Sequence, residues 1–257
     1  MERELESKVQ YFFASRYRGR EDVRDTVREL RRHGRLVLVG GMLRDLALFG
    51  NTGFRSDLDF VIAPYDLRSF EKYMTAIGAR VNRFGGYALP SRKWQIDVWP
   101  LERTWANVAG HAKVRTVGDL RRATFFRCDA ILYDLDHRKL KTTPDYFGEL
   151  NQKVLEINLR PNPNPKGNTV RAFRYALMKG FRWGPRLSDF VNEVLEREGW
   201  NELLEAEWQS FHTQHLERIR FENLRKALQA HVSEGLNTPF DVTNFLRNVQ
   251  LALPNLH

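Results

Sequence analysis

Two aspartates separated by one residue could support metal-assisted phosphate chemistry. Asp57 and Asp59 flank Leu58 in a segment whose apolar residues predict a β-strand. Because side chains alternate along a strand, both carboxylates should project from the same face. Carboxylates this close repel each other unless a cation lies between them. Mg²⁺ binds such oxygens together with substrate phosphates. Two ions about 4 Å apart can stabilise the attacking and leaving oxygens of an in-line displacement. The spacing therefore predicts a site for two Mg²⁺ ions, or for Mn²⁺ in their place.

A glycine pair precedes this segment and adds a feature suited to phosphates. Gly40 and Gly41 follow a short apolar run and precede a predicted helix. Glycine allows the backbone to approach a phosphate closely, and the start of a helix presents free N–H groups to anions. Each feature alone is common in ordinary turns. Their order, which is strand, Gly-Gly, helix and Asp-x-Asp, predicts a nucleotide site.

A third carboxylate, Asp97, lies among apolar neighbours in residues 94–99, which we predict to form a strand. A buried carboxylate without a partner is costly, so Asp97 should have a cation or a hydrogen-bond donor nearby. If this strand lies beside that of Asp57, all three acids could share the metal site. The alternative is an aspartate at a sheet edge that is bonded to the backbone.

The elements that would position these residues alternate along the first half of the chain. Helical spacing covers the first 35 residues or so, including Val23, Val27 and Leu30. Strands are predicted over residues 36–39, 58–62 and 94–99, and helices over residues 42–49 and 66–77. Residues 51–56 should form a polar loop. This pattern predicts an α+β domain with a small mixed sheet and helices packed on it.

The second half is predicted to be a separate domain. Proline recurs at alternate positions within residues 160–166, which should not be helical. Nearly all of the sequence beyond this stretch has helical spacing. We therefore predict a first domain over residues 1–160 and an all-helical domain over residues 167–257.

Composition limits the classes of protein that fit. The 257 residues carry a formal net charge of +9, so a polyanionic partner such as nucleic acid or a nucleoside triphosphate is favoured. No apolar run approaches the roughly 20 residues that span a bilayer, and the N-terminus lacks the apolar region of a secretory signal. The sequence thus predicts a cytoplasmic protein with no membrane partner. It does not indicate an oligomeric state.

The motifs resemble those of a known family. Residues 40–45 read Gly-Gly-x-x-Arg-Asp and are followed by Asp-x-Asp at residues 57–59. This order resembles the class II CCA-adding enzymes and bacterial poly(A) polymerases, within the polymerase-β-like nucleotidyltransferase superfamily. Looser similarity continues through residues 130–134, 146–150, 170–175 and 216–228. The resemblance implies a polymerase-β-like head followed by a helical neck.

The resemblance also implies roles for individual residues. Three carboxylates would be catalytic and bind the metal ions, namely Asp57, Asp59 and Asp97. Four residues would line the triphosphate site, namely Gly40, Gly41, Arg44 and Asp45. Arg171 and Arg174 would face the nucleotide from the first neck helix. Arginine suits this role because its planar guanidinium matches phosphates and base edges. The alternative for both arginines is a solvated helix face.

Two departures from the family pattern concern nucleotide recognition. The corresponding family helix begins with a Glu-Asp pair, and its aspartate reads the base together with the arginine that matches Arg171. Gly167 and Asn168 occupy the positions of that pair here. Asn168 can both donate and accept, whereas an aspartate only accepts, so the choice of CTP and ATP is open. The ribose-binding Arg-Arg-Asp motif has no counterpart in register. Arg127 is a nearby candidate for nucleotide binding.

The expected reaction is transfer of a nucleoside monophosphate from an NTP to an acceptor hydroxyl. The basic composition favours an RNA 3′ end, such as that of a tRNA, as the acceptor. The sequence also ends soon after the neck, where full-length family members have a body and tail, which argues against routine CCA repair. Two alternatives remain open: transfer to a small molecule or protein, and a non-catalytic RNA-binding relative.

Overall fold

One mixed sheet, with seven strands among the described residues, organises the first part of the chain. The computed structural model describes residues 1–54, 57–82, 84–91 and 93–247. The strands are β1 Gly34–Val39, β2 Leu58–Pro64, β3 Arg80–Val81, β4 Tyr87–Ala88, β5 Ile96–Pro100, β6 Leu132–Asp134 and β7 Lys139–Lys141. Their spatial order is β3-β4-β5-β2-β1-β6-β7. β2 and β5 are parallel, and the other neighbouring pairs are antiparallel.

Six helices accompany this sheet in the described part of the first compact unit, which comprises residues Met1–Gln152 and Asn158–Pro163. They are α1 Glu2–Ala14, α2 Arg20–His33, α3 Gly41–Gly53, α4 Leu67–Ala76, α5 Trp105–Val108 and α6 Tyr146–Gln152. The predicted stripe of α2 is buried, because Val23, Val27 and Leu30 recur on one helical face. Asp66 caps the start of α4 by accepting from the Ser69 backbone N–H.

The two faces of the sheet are covered by different segments. On one face, Val37 of β1 and Val61 of β2 pack in an apolar cluster with Val114, Val117 and Leu120. The opposite face carries Val98, which is in register with Tyr87 of β4. Phe70 of α4 meets Tyr87 edge-on, with ring centroids 5.9 Å apart. Helix α4 therefore lies against the face opposite to that of Val37 and Val61.

The second compact unit comprises Lys153–Ile157 and Asn164–His257. In its described residues, the helices are α7 Pro165–Lys179, α8 Pro185–Glu198, α9 Trp200–Phe211 and α10 Phe221–Ser233. Two short parallel strands, β8 Val154–Leu155 and β9 Arg182–Trp183, pair beside them. In the part of this unit that the structure describes, the named elements are therefore helical apart from this strand pair. Strand β8 comes from within the range predicted for the first domain.

The predicted α+β class is confirmed, and several element boundaries differ from those predicted. Helix α3 continues through residues predicted as loop and ends at Gly53, with a break at Gly50 (Ser56 lies outside the described residues). Strand β5 begins at Ile96 rather than residue 94. Helix α7 begins at Pro165, inside the stretch predicted not to be helical. Proline is tolerated there because the first helical residue needs no N–H partner. In the described residues, no helix has the length and apolarity to cross a membrane.

Candidate functional site

The ends of three neighbouring strands bring the predicted site residues together. Val39, the last residue of β1, is in register with Asp59 of β2. Asp59 is in turn in register with Asp97 of β5. Residues in register on adjacent strands share a face, so the side chains of Asp59 and Asp97 project side by side. The glycine pair that follows Val39 lies at the same end of the sheet.

Asp57 belongs to this neighbourhood although it is not part of a strand. The predicted start of the strand at residue 58 is confirmed, so Asp57 immediately precedes β2. The residue is exposed at the end of the sheet. The protein around it nevertheless weakens the hydration of its carboxylate. This desolvation, followed by the negative charge of Asp97, raises the pKa of Asp57 above its ordinary value.

Asp97 is almost enclosed, with 8% of its surface exposed. Its Oδ2 accepts a hydrogen bond of 3.2 Å from the side-chain amide of Gln95. The Gln95 carbonyl accepts from the Leu58 N–H at 2.9 Å and so ties β5 to the start of β2. The motifs in the sequence did not single out Gln95. The available signal was its spacing of two residues from Asp97, which predicts a shared face.

The carboxylates have the chemistry of a hard-cation site. No ion pair joins Asp57 or Asp97 to a cationic side chain within the described ranges. Oxygen donors of like charge suit Mg²⁺ or Mn²⁺. In the present side-chain conformations, no three His, Cys, Asp or Glu side chains of the described residues converge on one metal position. A shared ion would therefore require the aspartate side chains to rotate, and the metal assignment stays a prediction.

Gly40 makes the turn between β1 and α3. Its φ of +69° is a conformation that favours glycine over residues with a Cβ atom. The Gly40 N–H donates to the Ile131 carbonyl at 3.0 Å, and its own carbonyl accepts from the Arg44 N–H at 3.2 Å. Helix α3 starts at the next residue, Gly41, and its first N–H groups lie at this turn. The predicted order of strand, Gly-Gly and helix is therefore present, while phosphate binding by Gly40 and Gly41 stays a prediction.

Arg44 and Asp45 lie inside the protein rather than on an open surface. Arg44 is 2% exposed and Asp45 is 3% exposed. Arg44 Nε donates to Asp45 Oδ1 at 2.8 Å, and its Nη1 forms a short ion pair with Asp129. These contacts give the pair a structural role in joining α3 to the 3₁₀ turn Arg127–Asp129. The predicted contact with the triphosphate would compete with this buried network.

Tyr146 closes the same network from α6. Its hydroxyl donates to the Cys128 carbonyl at 2.7 Å. Burial, followed by the charges of Cys128 and Asp129, raises the pKa of Tyr146, so the phenol stays protonated and able to donate. Arg127, in the same 3₁₀ turn, points outward and pairs with Glu149. Its nucleotide contact stays a prediction.

In the second unit, Asn168, Arg171 and Tyr175 form a chain of contacts along α7. Arg171 donates from Nη1 to Asn168 Oδ1 at 3.2 Å and from Nη2 to the Tyr175 hydroxyl at 3.0 Å. The three residues lie at helical spacings of three and four, so they share one face. Base reading by Asn168 and Arg171 stays a prediction. The structure shows that each of them already orients the other.

The cap of α7 explains why a glycine stands at position 167. Asn164 accepts from the Gly167 N–H at 3.1 Å and so caps the helix. A Cβ atom at position 167 would lie 2.2 Å from the Asn164 amide nitrogen. The family's glutamate at this position would therefore require Asn164 to move.

Arg174 is held within the second unit by three partners. Its Nη1 donates to Glu207 Oε1 at 2.7 Å and to the Thr213 hydroxyl at 2.6 Å, and its guanidinium lies 4.0 Å from the centre of the Phe211 ring. Glu207 is fully buried and also accepts from the Leu216 N–H. Arg174 therefore does not lie on a solvated helix face, which was the alternative to nucleotide binding. A nucleotide contact by Arg174 stays a prediction and would compete with this ion pair.

Comparisons with known proteins identify the fold. No protein-family model matches the sequence, and no curated protein matches it significantly. Among solved structures, an apo CCA-adding enzyme matches with a TM-score of 0.56 and 17% identity, covering 89% of this chain and 55% of the enzyme. A CCA-adding enzyme with CTP matches with a TM-score of 0.54 and 16% identity, covering 83% of this chain and 53% of the enzyme.

A third structure is a tRNA nucleotidyltransferase complexed with a primer tRNA and an incoming ATP analogue. It matches with a TM-score of 0.51 and 19% identity, covering 83% of this chain and 63% of that protein. The chain thus spans between 53% and 63% of the lengths of these three proteins. At such identities the likeness concerns the fold. The chain therefore has the fold of the corresponding part of CCA-adding enzymes and tRNA nucleotidyltransferases, as the motif resemblance predicted.

Proposed function

We propose that this protein is a divalent-cation-dependent nucleotidyltransferase that moves a nucleoside monophosphate from an NTP to an acceptor hydroxyl, with an RNA 3′ end as the preferred acceptor. The observation that carries the proposal is the register of Asp59 with Asp97, next to the glycine turn that ends β1. Carboxylates can bind the metal ion, and the N–H groups of a helix that begins with glycine can bind phosphate oxygens. Together they suit a metal-bound triphosphate. The shared fold with solved CCA-adding enzymes supports the same conclusion.

Each element of the proposed site has a separate task. Asp57, Asp59 and Asp97 would hold the cations, and Mg²⁺ bound there would neutralise charge on the phosphates. The N–H groups at the start of α3, beside Gly40 and Gly41, would bind phosphate oxygens. Because the turn at Gly40 is fixed by two backbone hydrogen bonds, these donors are oriented before substrate binds.

The proposed step is an in-line displacement at the α-phosphorus. The acceptor hydroxyl oxygen forms a bond to the α-phosphorus, and the bond between the α-phosphorus and the bridging oxygen breaks. Pyrophosphate leaves with that oxygen, and the hydroxyl proton passes to the carboxylate of Asp97. Gln95 keeps one oxygen of Asp97 engaged, which leaves the other oxygen to accept the proton. Positioning and charge neutralisation supply most of the acceleration of such a reaction.

The acceptor is proposed from two independent lines of support. The chain is basic, with a net charge of +9, as expected for a protein that binds polyanions. One solved protein of the same fold was captured with a primer tRNA and an ATP analogue. Transfer to a small molecule or protein is the second candidate, because one fold can serve many acceptors. The Asn168 departure from the family pattern favours that candidate.

The experiment that tests the proposal uses the four NTPs, each labelled at the α-phosphate. The protein is incubated with Mg²⁺, one NTP and total RNA, and parallel reactions contain protein or small-molecule fractions instead. Label recovered at RNA 3′ ends is the expected result. The variant Asp57→Ala/Asp59→Ala should lose transfer, whereas Asp22→Ala/Asp25→Ala, which removes two exposed acids of α2, should retain it.

The outcomes separate the candidates. Label on a small molecule or protein would replace the RNA acceptor while keeping the reaction. RNA binding without label in any fraction would leave a non-catalytic RNA-binding protein. Transfer at the wild-type rate by the Asp57→Ala/Asp59→Ala variant would overturn the metal assignment.

A further inference from the structure

The sheet face that carries the acids continues beneath a basic segment of the same unit. Asp59 and Val61 are two residues apart on β2, so their side chains share a face. Val61 packs with Val114, Val117 and Leu120 on that face. The segment from residue 101 to residue 127 therefore includes side chains that pack on the face from whose end Asp59 and Asp97 project. Its formal net charge is +4, from six Arg and Lys against two Asp and Glu.

Two cationic side chains of this segment are exposed on either side of a buried residue. Val114 is buried, with 5% of its surface exposed, and its N–H donates to Asn107 Oδ1 at 3.0 Å. Lys113 and Arg115 flank it, and both are exposed. The buried middle residue thus anchors the chain at this point, while the side chains on either side of it are open to solvent.

Three other basic residues of this segment form ion pairs with carboxylates, whereas Lys113 and Arg115 form none within the part of the chain that the structure describes. Arg103 pairs with Glu71, Arg122 with Asp119, and Arg127 with Glu149. Asp119, the acid nearest in sequence to Arg115, also accepts from the backbone N–H groups of residues 115 and 116. Among the described residues, no carboxylate forms an ion pair with Lys113 or Arg115. Their charges are therefore available to an external anion.

We infer that Lys113 and Arg115 form a binding surface for the sugar-phosphate backbone of the RNA acceptor. The inference rests on the proposed function in taking RNA as the acceptor, and it adds the surface that holds it. Exposed lysine and arginine beside a catalytic face attract successive phosphates and release their counterions. Contacts of this kind position a strand without reading its sequence. This surface suits an acceptor that is held by its backbone while its 3′ end enters the site.

The chain offers a matched control on the other side of the sheet. Arg68 and Lys72 are exposed on α4, which lies against the face opposite to that of Asp97. The test compares Lys113→Gln/Arg115→Gln with Arg68→Gln/Lys72→Gln, so both variants lose the same two charges. The probe is a fluorescein-labelled RNA hairpin with a single-stranded 3′ end. Its affinity is measured between 50 and 300 mM KCl, and the KM of the NTP is measured with the same RNA as acceptor.

We expect the affinity of Lys113→Gln/Arg115→Gln for RNA to fall about tenfold at the lower salt concentrations. Its slope of log K against log salt should become shallower by about 1.4, as for two lost contacts to single-stranded phosphates. The control variant should stay within about twofold of wild type in affinity. The KM of the NTP should not change in either variant. Circular dichroism melting should be the same for all three proteins, because the four substituted residues are exposed.

Three results would overturn the inference. One is an unchanged salt slope in Lys113→Gln/Arg115→Gln. Another is an equal loss in both variants, which would reflect net charge alone. The third is a raised KM for the NTP with unchanged RNA affinity, which would assign the two cations to the triphosphate. If wild-type protein binds RNA in the expected pattern but transfers no label, the surface stands and the proposed reaction fails.

Discussion

Arg44 and Asp129 form an ion pair although they are 85 residues apart in sequence. Arg44 is 2% exposed and Asp129 is 8% exposed, so the pair is almost closed to water. Arg44 also forms an ion pair with Asp45, so two carboxylates lie against the positive charge of the arginine. Arg44, for which the family resemblance implied a place at the triphosphate, thus holds the helix after the glycine turn against a distant 3₁₀ turn.

Replacing this arginine should destabilise the fold. In Arg44→Met, two buried carboxylates lose their cation, and removing one partner of a buried ion pair costs about 3–5 kcal/mol. We expect thermal unfolding to occur about 10 °C lower, measured by circular dichroism. Arg32→Met removes an exposed arginine that pairs with Glu29, and it should shift stability by less than about 1 kcal/mol. If Arg44→Met melted like wild type and only raised the KM of the NTP, Arg44 would be a phosphate ligand instead.

Asp57→Asn should separate catalysis from stability. Desolvation and the charge of Asp97 raise the pKa of Asp57, so the folded state holds this proton more tightly than the unfolded state. Stability without metal should therefore fall as pH rises from the ordinary aspartate value of 3.8 through the raised pKa. Asp57→Asn has no carboxylate to ionise at this position, so it should be slightly more stable than wild type at pH 7. The difference should be less than about 1 kcal/mol because the group is exposed.

Asp57→Asn should also respond to Mg²⁺ less strongly than the wild-type protein. Mg²⁺ should raise the melting temperature of the wild-type protein more than that of Asp57→Asn, since the proposed ion would bind the carboxylates of the folded state. Transfer should fall at least about 100-fold, which corresponds to roughly 2.7 kcal/mol of transition-state stabilisation. An equal thermal response to Mg²⁺ in both proteins would argue against Asp57 as a ligand.

Asp134 should make a pH-dependent contribution to the stability of the first unit. Burial alone would raise the pKa of Asp134, but hydrogen bonds from Arg35 and His137 outweigh it and lower the pKa to about 2. The stability from this group is fully present above the unfolded value of 3.8 and is lost as pH falls towards 2. Asp134→Asn should lose about 2 kcal/mol at pH 7, measured by urea unfolding.

Acid titration provides the check on this assignment. At pH 2 the stabilities of wild type and Asp134→Asn should converge, because wild-type Asp134 then carries a proton for part of the time. A stability difference that stayed constant from pH 7 to pH 2 would show that packing, and not the charge of Asp134, causes the loss.

Asn168→Asp should change the choice of nucleotide. Asn168 accepts from Arg171, and an aspartate would strengthen that contact with a charge while removing the amide donor. We expect the preference to move towards CTP or ATP in a competition among four NTPs. Asn201→Asp, an exposed site on α9, makes the same charge change and should leave the profile as in wild type. An unchanged profile in Asn168→Asp would remove Asn168 from base recognition.

The spacing of residues by itself determined the local features of this protein. The apolar residues of segment 58–62 predicted β2, and the apolar run at residues 36–39 predicted β1, because a short apolar run bounded by turn residues is typical of a buried strand. The order Gly-Gly, helix and Asp-x-Asp predicted the turn at Gly40, where a positive φ favours glycine. The α+β class followed from the same alternation of elements.

Only the tertiary structure decided how distant residues meet. The register of Asp59 with Asp97 depends on which strands become neighbours, and strand order is not encoded in local spacing. The enclosure of Arg44 by Asp129 and the binding of Arg174 by Glu207 likewise depend on long-range packing. Exposed and buried arginines look alike in a sequence, because the residue type fixes the charge while burial is set by neighbours far along the chain.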